Sequence, residues 1–157
     1  MTNEIRASLR RVCEVLNRHE VNYLIIGGMA VGFHGYPRAT ADLDFWYEPT
    51  IENFHRIIAS LQELGVDTSS LEKLVFDPKK TFLRIPQNNF RLEFLPAIPG
   101  VESFRASNDK ASETNLDGVV VKVLSYDDLI KNKRAVGRAV DQNDVEELER
   151  RRGTADG

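Results

Sequence analysis

A chain of 157 residues is long enough for one domain with a genuine core and hardly long enough for two. Its net charge of −3 and apolar share of 41% are those of an ordinary globular protein, so any basic footprint for a nucleic acid must be local. No apolar run approaches the roughly 20 residues that cross a bilayer. The opening Met1-Thr2-Asn3-Glu4-Ile5-Arg6 lacks a signal peptide's apolar region, and the single cysteine, Cys13, excludes an internal disulfide. A cytoplasmic protein without membrane contact is expected.

Residues 3–19 read as an amphipathic helix, with Ile5, Leu9, Val12 and Leu16 on one stripe and Arg6, Arg10, Arg11 and Arg18 off it. Those arginines are a solvated face in preference to an RNA contact. Cys13 lies at the edge of the apolar stripe, where packing is its expected role. Val21 to Ile26 reads as a first, central strand that stops at Gly27-Gly28. A short helix, Met29 to Phe33, and a Gly/Pro-punctuated loop, His34 to Thr40, follow. His34 either contacts a nucleotide or is satisfied by backbone.

After the loop, Asp42 and Asp44 flank Leu43 at the head of a run with strand alternation. A strand repeats its side-chain direction every two residues, so both carboxylates leave one face while Leu43 and Phe45 leave the other. Two carboxylates held side by side repel each other unless a cation sits between them. A divalent metal is the simplest candidate, and hard oxygen ligands suit Mg²⁺. Asp-x-Asp alone is often a solvated face. A Gly-Gly turn between strand and helix adds close backbone approach to a phosphate, and the two together are the logic of metal-assisted phosphoryl or nucleotidyl transfer. If extended backbone reaches back to Arg38 and Thr40, both share the parity of Asp42 and Asp44, and Arg38 points into the same cleft. The competing view is a plain surface arginine.

Thr50 reads as the N-cap of a helix whose stripe is Ile51, Phe54, Ile57, Ile58, Leu61 and Leu64, ended by Gly65. Asp77 to Lys80 is a turn with solvated lysines, and Thr81 to Ile85 a short strand. Phe90 to Leu95 alternates again, with Phe90, Leu92 and Phe94 on one face and Arg91 and Glu93 on the other. Residues 101–115 are polar and weakly patterned, with one short helix around Phe104. Asn115 to Gly118 is a turn, and Val119 to Leu124 the last strand. Ser125 caps a helix from Tyr126 to Val140. Its core stripe is Leu129, Val136 and Val140, with Lys133 inside it and expected to snorkel outward. Lys131, Arg134 and Arg138 form a separate cationic stripe. Asp141 and Asp144 read as cap and first-turn acids of a final helix through about Arg151. The expected organisation is one domain over residues 1–152 with a disordered tail, 153–157.

Gly27-Gly28 followed by Arg38-Ala39-Thr40-Ala41-Asp42-Leu43-Asp44 resembles the signature of the polymerase-β-like nucleotidyltransferases. The fuller string, with Ala30, His34 and Gly35, resembles the small bacterial branch that includes abortive-infection toxin nucleotidyltransferases. The resemblance implies an α/β (α+β) fold with a small, mixed, mostly antiparallel sheet flanked by helices. It implies NMP transfer from an NTP to an acceptor hydroxyl, with Asp42 and Asp44 holding two Mg²⁺ ions. Glu93 matches the context of the family's third acid, although many members carry the shorter aspartate there. Gly27, Gly28, Arg38, Thr40 and Lys133 fall where the nucleotide would be held, and Arg138, Asp141 and Asp144 match the family's C-terminal Arg-x-x-Asp-x-x-Asp pattern. For the acceptor, the resemblance implies tRNA or another RNA 3′ end, in a toxin setting with a cognate antitoxin. A small molecule such as an aminoglycoside, or a protein side chain, is the alternative within the same chemistry. A catalytically silent nucleotide-binding or antitoxin-like module is the alternative outside it.

Overall fold

The computed structural model describes residues 1–156, of which 154–156 are described by backbone alone. Helix α1 (Asn3–Arg18) begins where Thr2 accepts the Ile5 N–H, and it buries Ile5, Leu9, Val12, Cys13, Val15 and Leu16. Strand β1 (Tyr23–Ile26) is buried along its whole length. It is shorter than the apolar run, because the Val21 N–H turns back to the Leu16 carbonyl and leaves the ladder. Helix α2 (Gly27–Phe33) starts at the glycines themselves, two residues earlier than the sequence places it. Strand β2 (Asp42–Tyr47) follows the loop.

Helix α3 (Ile51–Glu63) is capped by Thr50 as its sequence requires, but Ile51 is exposed rather than part of the buried stripe. The buried polar residue beside it is Asn53, whose amide accepts from the Asn22 N–H and donates to the carbonyls of Asn22 and Glu48. That amide ties α3 to the end of the β1–β2 pair where β1 begins and β2 finishes. A one-turn helix, α4 (Ser69–Glu72), precedes β3 (Leu83–Pro86) and β4 (Arg91–Leu95). The weakly patterned stretch holds α5 (Phe104–Asp109) and an unforeseen strand, β5 (Ser112–Leu116), which forms a hairpin with β6 (Val119–Val123). Asn115 and Leu116 therefore belong to strand, and the turn narrows to Asp117-Gly118.

The strands form one mixed sheet in the order β3-β4-β2-β1-β6-β5. Its β1–β2, β3–β4 and β5–β6 pairs are antiparallel, and β2–β4 and β1–β6 are parallel, so the sheet is mostly antiparallel, as expected. Leu43, Phe45 and Tyr47 share one face of β2. On that face Phe45 stacks on Phe94 at 5.2 Å between centroids and meets the edge of Tyr23 at 5.5 Å. The other face carries Asp42, Asp44 and then Trp46, whose indole N–H donates to the Pro96 carbonyl. One core therefore anchors the strand that presents the acids.

The largest departure lies at the C-terminal end. Helix α6 (Tyr126–Val136) does not continue to Val140. Gly137 takes φ +70, its N–H caps the Lys133 carbonyl, and α7 (Ala139–Asp156) starts two residues later. Glycine adopts this left-handed cap without the penalty a side chain would incur. Val136 and Val140 are consequently exposed and are not a core stripe. Helix α7 runs through Asp156, past Arg151 and through most of the tail expected to be disordered; Gly157 lies outside the described residues. Its apolar contribution to the core is Val145 and Leu148. Among the described residues no helix is long and apolar enough to cross a membrane.

Candidate active site

The parallel register of β2 and β4 sets Asp44 opposite Glu93 and Asp42 opposite Arg91. The sequence places acids on two separate strands, and this pairing brings them onto one patch. Glu93 is also opposite Arg84 of β3. Two guanidiniums reach the acids from the open side. Arg91 donates to Asp42 Oδ1 from Nε (3.2 Å) and Nη2 (3.0 Å) and lies 3.3 Å from Glu93 Oε1, and Arg84 Nε lies 3.0 Å from the same Glu93 oxygen.

Asp44 sits deeper. Burial, then the charge of Glu93 and a hydrogen bond with it, then the charge of Asp42, push its carboxyl up to about 7; the Lys133 ammonium works the other way. Its Oδ1 is buried with no hydrogen-bond partner. A buried carboxylate oxygen in that condition is a site prepared for a cation or a proton donor.

Gly27 forms the floor beside it. With φ +68, a Cβ there would overlap Asp44 Oδ2 and stand 3.2 Å from Cγ, so only glycine lets the strand-to-helix turn close over the acid. Gly28 serves a neighbouring contact, since a Cβ on it would lie 3.1 Å from the Thr40 Cβ and 3.3 Å from the Arg38 Nη1. Thr40 itself accepts the Asp42 N–H at 3.2 Å and braces the start of β2; it does not line the cleft.

Lys133 does not snorkel outward. Its ammonium is buried, 3.1 Å from Asp141 Oδ1 and 3.0 Å from Asp144 Oδ2. Asp144 also takes a two-pronged contact from Arg38, at 2.8 and 2.9 Å, and Asp141 takes one from Arg138, at 2.6 and 3.1 Å. Asp141 and Asp144 are thus interior, nearly inaccessible charges rather than simple helix-cap acids. Burial opposes ionisation of Asp141, but the hydrogen bonds from Arg138 and Lys133 prevail and hold it at about 2. Against the two carboxylates stand three cations, Arg38, Lys133 and Arg138. The excess positive charge faces the cleft that holds Asp42, Asp44 and Glu93.

That cleft has a volume of about 480 Å³ and brings together Gly27, Gly28, Arg38, Asp42, Asp44, Glu93 and Lys133. Ile98, Pro99, Val136 and Val140 supply an apolar rim. His34 lies apart, bonded to the Leu124 carbonyl at 2.7 Å and edge-on to Tyr126, which settles its two readings in favour of backbone satisfaction. Sequence reasoning passed over Arg84, Arg91 and Asn132 as part of this cleft. Alternation of side chains set Arg91 on the face of Glu93 but could not set it across from Asp42; Arg84 and Asn132 arrive through tertiary packing alone.

Whether these residues suit a divalent metal can be tested on the donor set. Asp42, Asp44 and Glu93 offer hard oxygens, and Asp44 has a buried oxygen without a partner, so the chemistry fits Mg²⁺. Among the described residues no three acids, histidines or cysteines are gathered into a ready ligand set, and Arg91 spans two of these acids instead.

A mixed sheet with an acidic pair on one strand, a third acid on its parallel neighbour and a glycine turn beside them is the frame of a polymerase-β-like nucleotidyltransferase. Residues 5–155 match the family described as "Nucleotidyl transferase of unknown function (DUF2204)", and the chain belongs to that family. No curated protein matches it. Among solved structures it is similar to a putative nucleotidyltransferase from Thermotoga maritima, at 17% identity and TM-score 0.57 over 99% of this chain and 96% of that one. It is similar to the lincomycin-bound lincosamide antibiotic adenylyltransferase LnuA, at 15% identity and TM-score 0.63 over 95% and 97%. It is also similar to the antibiotic-resistance factor ANT(2'')-Ia, at 14% identity and TM-score 0.56 over 99% and 96%. These likenesses establish the fold.

Proposed function

We propose that this nucleotidyltransferase moves a nucleoside monophosphate from an NTP to a hydroxyl of a small acceptor. The acceptor oxygen forms a bond to the α-phosphorus, the bond to the β-phosphate breaks, and pyrophosphate leaves with that electron pair. The observation that carries this reading is Asp44, a half-buried carboxylate with one buried, unpartnered oxygen, set opposite Glu93 and against the Gly27 turn.

Asp42, Asp44 and Glu93 would hold two Mg²⁺ ions, which when bound supply compensation for phosphate charge and favour the ionised acceptor. Glu93 would take the acceptor's proton on a carboxylate oxygen. Gly27 and Gly28, with no side chains, leave the triphosphate room to approach the backbone. Arg38 and Lys133 bring positive charge to the same wall, and their pairing with Asp144 fixes their positions before a nucleotide arrives. Positioning and charge compensation are most of what such a transfer requires of a protein.

The acceptor reading turns on the basic residues of α6. On one continuous helix Lys131, Arg134 and Arg138 would form a cationic stripe that an RNA backbone could follow. The break at Gly137 takes Arg138 off that helix, Arg138 is bound to Asp141, and Arg134 is paired with Glu149. With that stripe gone, a small hydroxylated acceptor seated against the apolar rim is favoured. Two structural neighbours of the same fold are by name an antibiotic adenylyltransferase and an antibiotic-resistance factor. RNA modification in a toxin setting, and the antitoxin it would bring, rest on the motif resemblance alone.

The test is to incubate the protein with Mg²⁺ and each labelled NTP, together with total RNA or with a panel of aminoglycosides and lincosamides. Label in a small-molecule product supports the reading. Label in RNA overturns the acceptor assignment, and no labelled product with any NTP overturns the transfer itself.

A further inference from the structure

The acids of the cleft already have a cation of their own. Arg91 Nε and Nη2 both donate to Asp42 Oδ1, at 3.2 and 3.0 Å, and Nε lies 3.3 Å from Glu93 Oε1. One guanidinium thus spans two of the three carboxylates proposed as metal ligands. The third, Asp44, makes no ion pair with Arg91 and keeps a buried oxygen without a partner. Arg91 belongs to β4, opposite Asp42 and two residues from Glu93, so the bridge is built into the strand register. The Arg91 side chain is 44% exposed while that of Glu93 is 14% exposed. The cation can therefore swing into water at small cost, whereas the acids stay where the strands hold them.

We propose that Arg91 is a built-in counter-cation that competes with divalent metal for Asp42 and Glu93, so that metal loading is an exchange of one cation for another. The inference rests on the reading of these acids as metal ligands. A guanidinium brings one positive charge and satisfies two acids. A divalent ion brings two and serves Asp44 as well, and so displaces Arg91 once its concentration offsets the lost hydrogen bonds. Until then Arg91 keeps Asp42 and Glu93 from repelling each other in the metal-free protein. Arg84 is the internal comparison: it carries the same charge and contacts Glu93 but makes no contact with Asp42.

The exchange is read by titrating nucleotide-free protein with Mn²⁺ and following free metal by electron paramagnetic resonance. Arg91→Met should bind Mn²⁺ roughly five- to tenfold more tightly than the wild type, the value of two partly exposed ion contacts. Arg84→Met, with the same charge removed, should gain no more than about twofold. Arg91→Lys keeps the charge but cannot span both acids, and should fall between wild type and Arg91→Met, which preserves the test if the methionine variant does not fold. Equal affinity in wild type and the Arg91 variants overturns the exchange, as does an equal gain in Arg84→Met. Asp44→Asn separates this from the broader reading. Wild-type Mn²⁺ binding that Asp44→Asn abolishes, with no gain in the Arg91 variants, overturns the exchange alone. Binding that Asp44→Asn leaves untouched overturns the exchange and the metal site together.

Discussion

Gly27 and Asp44 approach so closely that a methyl group on the glycine would overlap the Asp44 carboxylate. The glycine sits at φ +68, at the start of α2, and the acid is the third residue of β2. Gly27→Ala meets two penalties. The left-handed backbone costs about 1–2 kcal/mol for a residue with a Cβ, and the methyl group displaces Asp44. Chemical denaturation should register a loss of at least that size, and transfer activity should vanish even in the fraction that remains folded. Wild-type stability in this variant would contradict the close contact.

Lys133 offers a second test, of the interior charge network. Lys133→Met removes a buried cation shared by Asp141 and Asp144, each of which retains one arginine. Breaking a buried pair from one side usually costs 3–5 kcal/mol, and the remaining arginines place this case at about 3 kcal/mol. Guanidinium-induced unfolding measures it. A change below about 1 kcal/mol would mean that Arg38 and Arg138 satisfy the acids unaided.

Asp141 also fixes a pH dependence. Its folded value of about 2 lies below the roughly 3.9 of an unfolded aspartate. The unfolded chain therefore takes up the proton first as pH falls. The stabilisation is complete above about pH 5 and is lost as pH drops towards 2, amounting to about 2 kcal/mol. Surface acids with lowered values, such as Glu63 and Asp117, act alike in both proteins if wild type is compared with Asp141→Asn. The stability difference between the two should shrink between pH 5 and 2. A constant difference would contradict the assignment.

Much of the site was legible because it depends on short-range rules. Strand parity placed Asp42 with Asp44 and separated them from Leu43 and Phe45, and the glycine pair marked the turn. Glu93 was legible through its alternating neighbours. What sequence could not supply was register: Arg91 faces Asp42 only because β4 runs parallel to β2. Lys133 looked like a residue that reaches solvent, since its partners Asp141 and Asp144 lie beyond a chain reversal that helical periodicity does not reveal. Gly137 was the missed signal, a glycine in the middle of the helix read as continuous to Val140. Strand β5 escaped because Ser112 to Leu116 is polar and on the sheet edge, where packing on β6 rather than apolar pattern makes the strand.

The acceptor surface can be tested on α6. Lys131→Glu combined with Arg134→Glu breaks the exposed pair between Arg134 and Glu149, which is worth at most about 1 kcal/mol. Transfer to a small acceptor should remain within about twofold of wild type, since neither residue lines the cleft. A steep fall in RNA labelling, with a flattened salt dependence, would instead restore RNA as the acceptor.

The most direct measurement is nucleotide transfer by Asp44→Asn. The amide keeps the size of the carboxyl group and removes the charge that would hold metal. Relief of repulsion from Glu93 and Asp42 should leave the metal-free melting temperature equal to or slightly above wild type. With labelled NTP, Mg²⁺ and the acceptor identified for the wild type, the rate should fall by on the order of 10³-fold or more. A folded Asp44→Asn protein that transfers label at the wild-type rate would contradict the account at its centre.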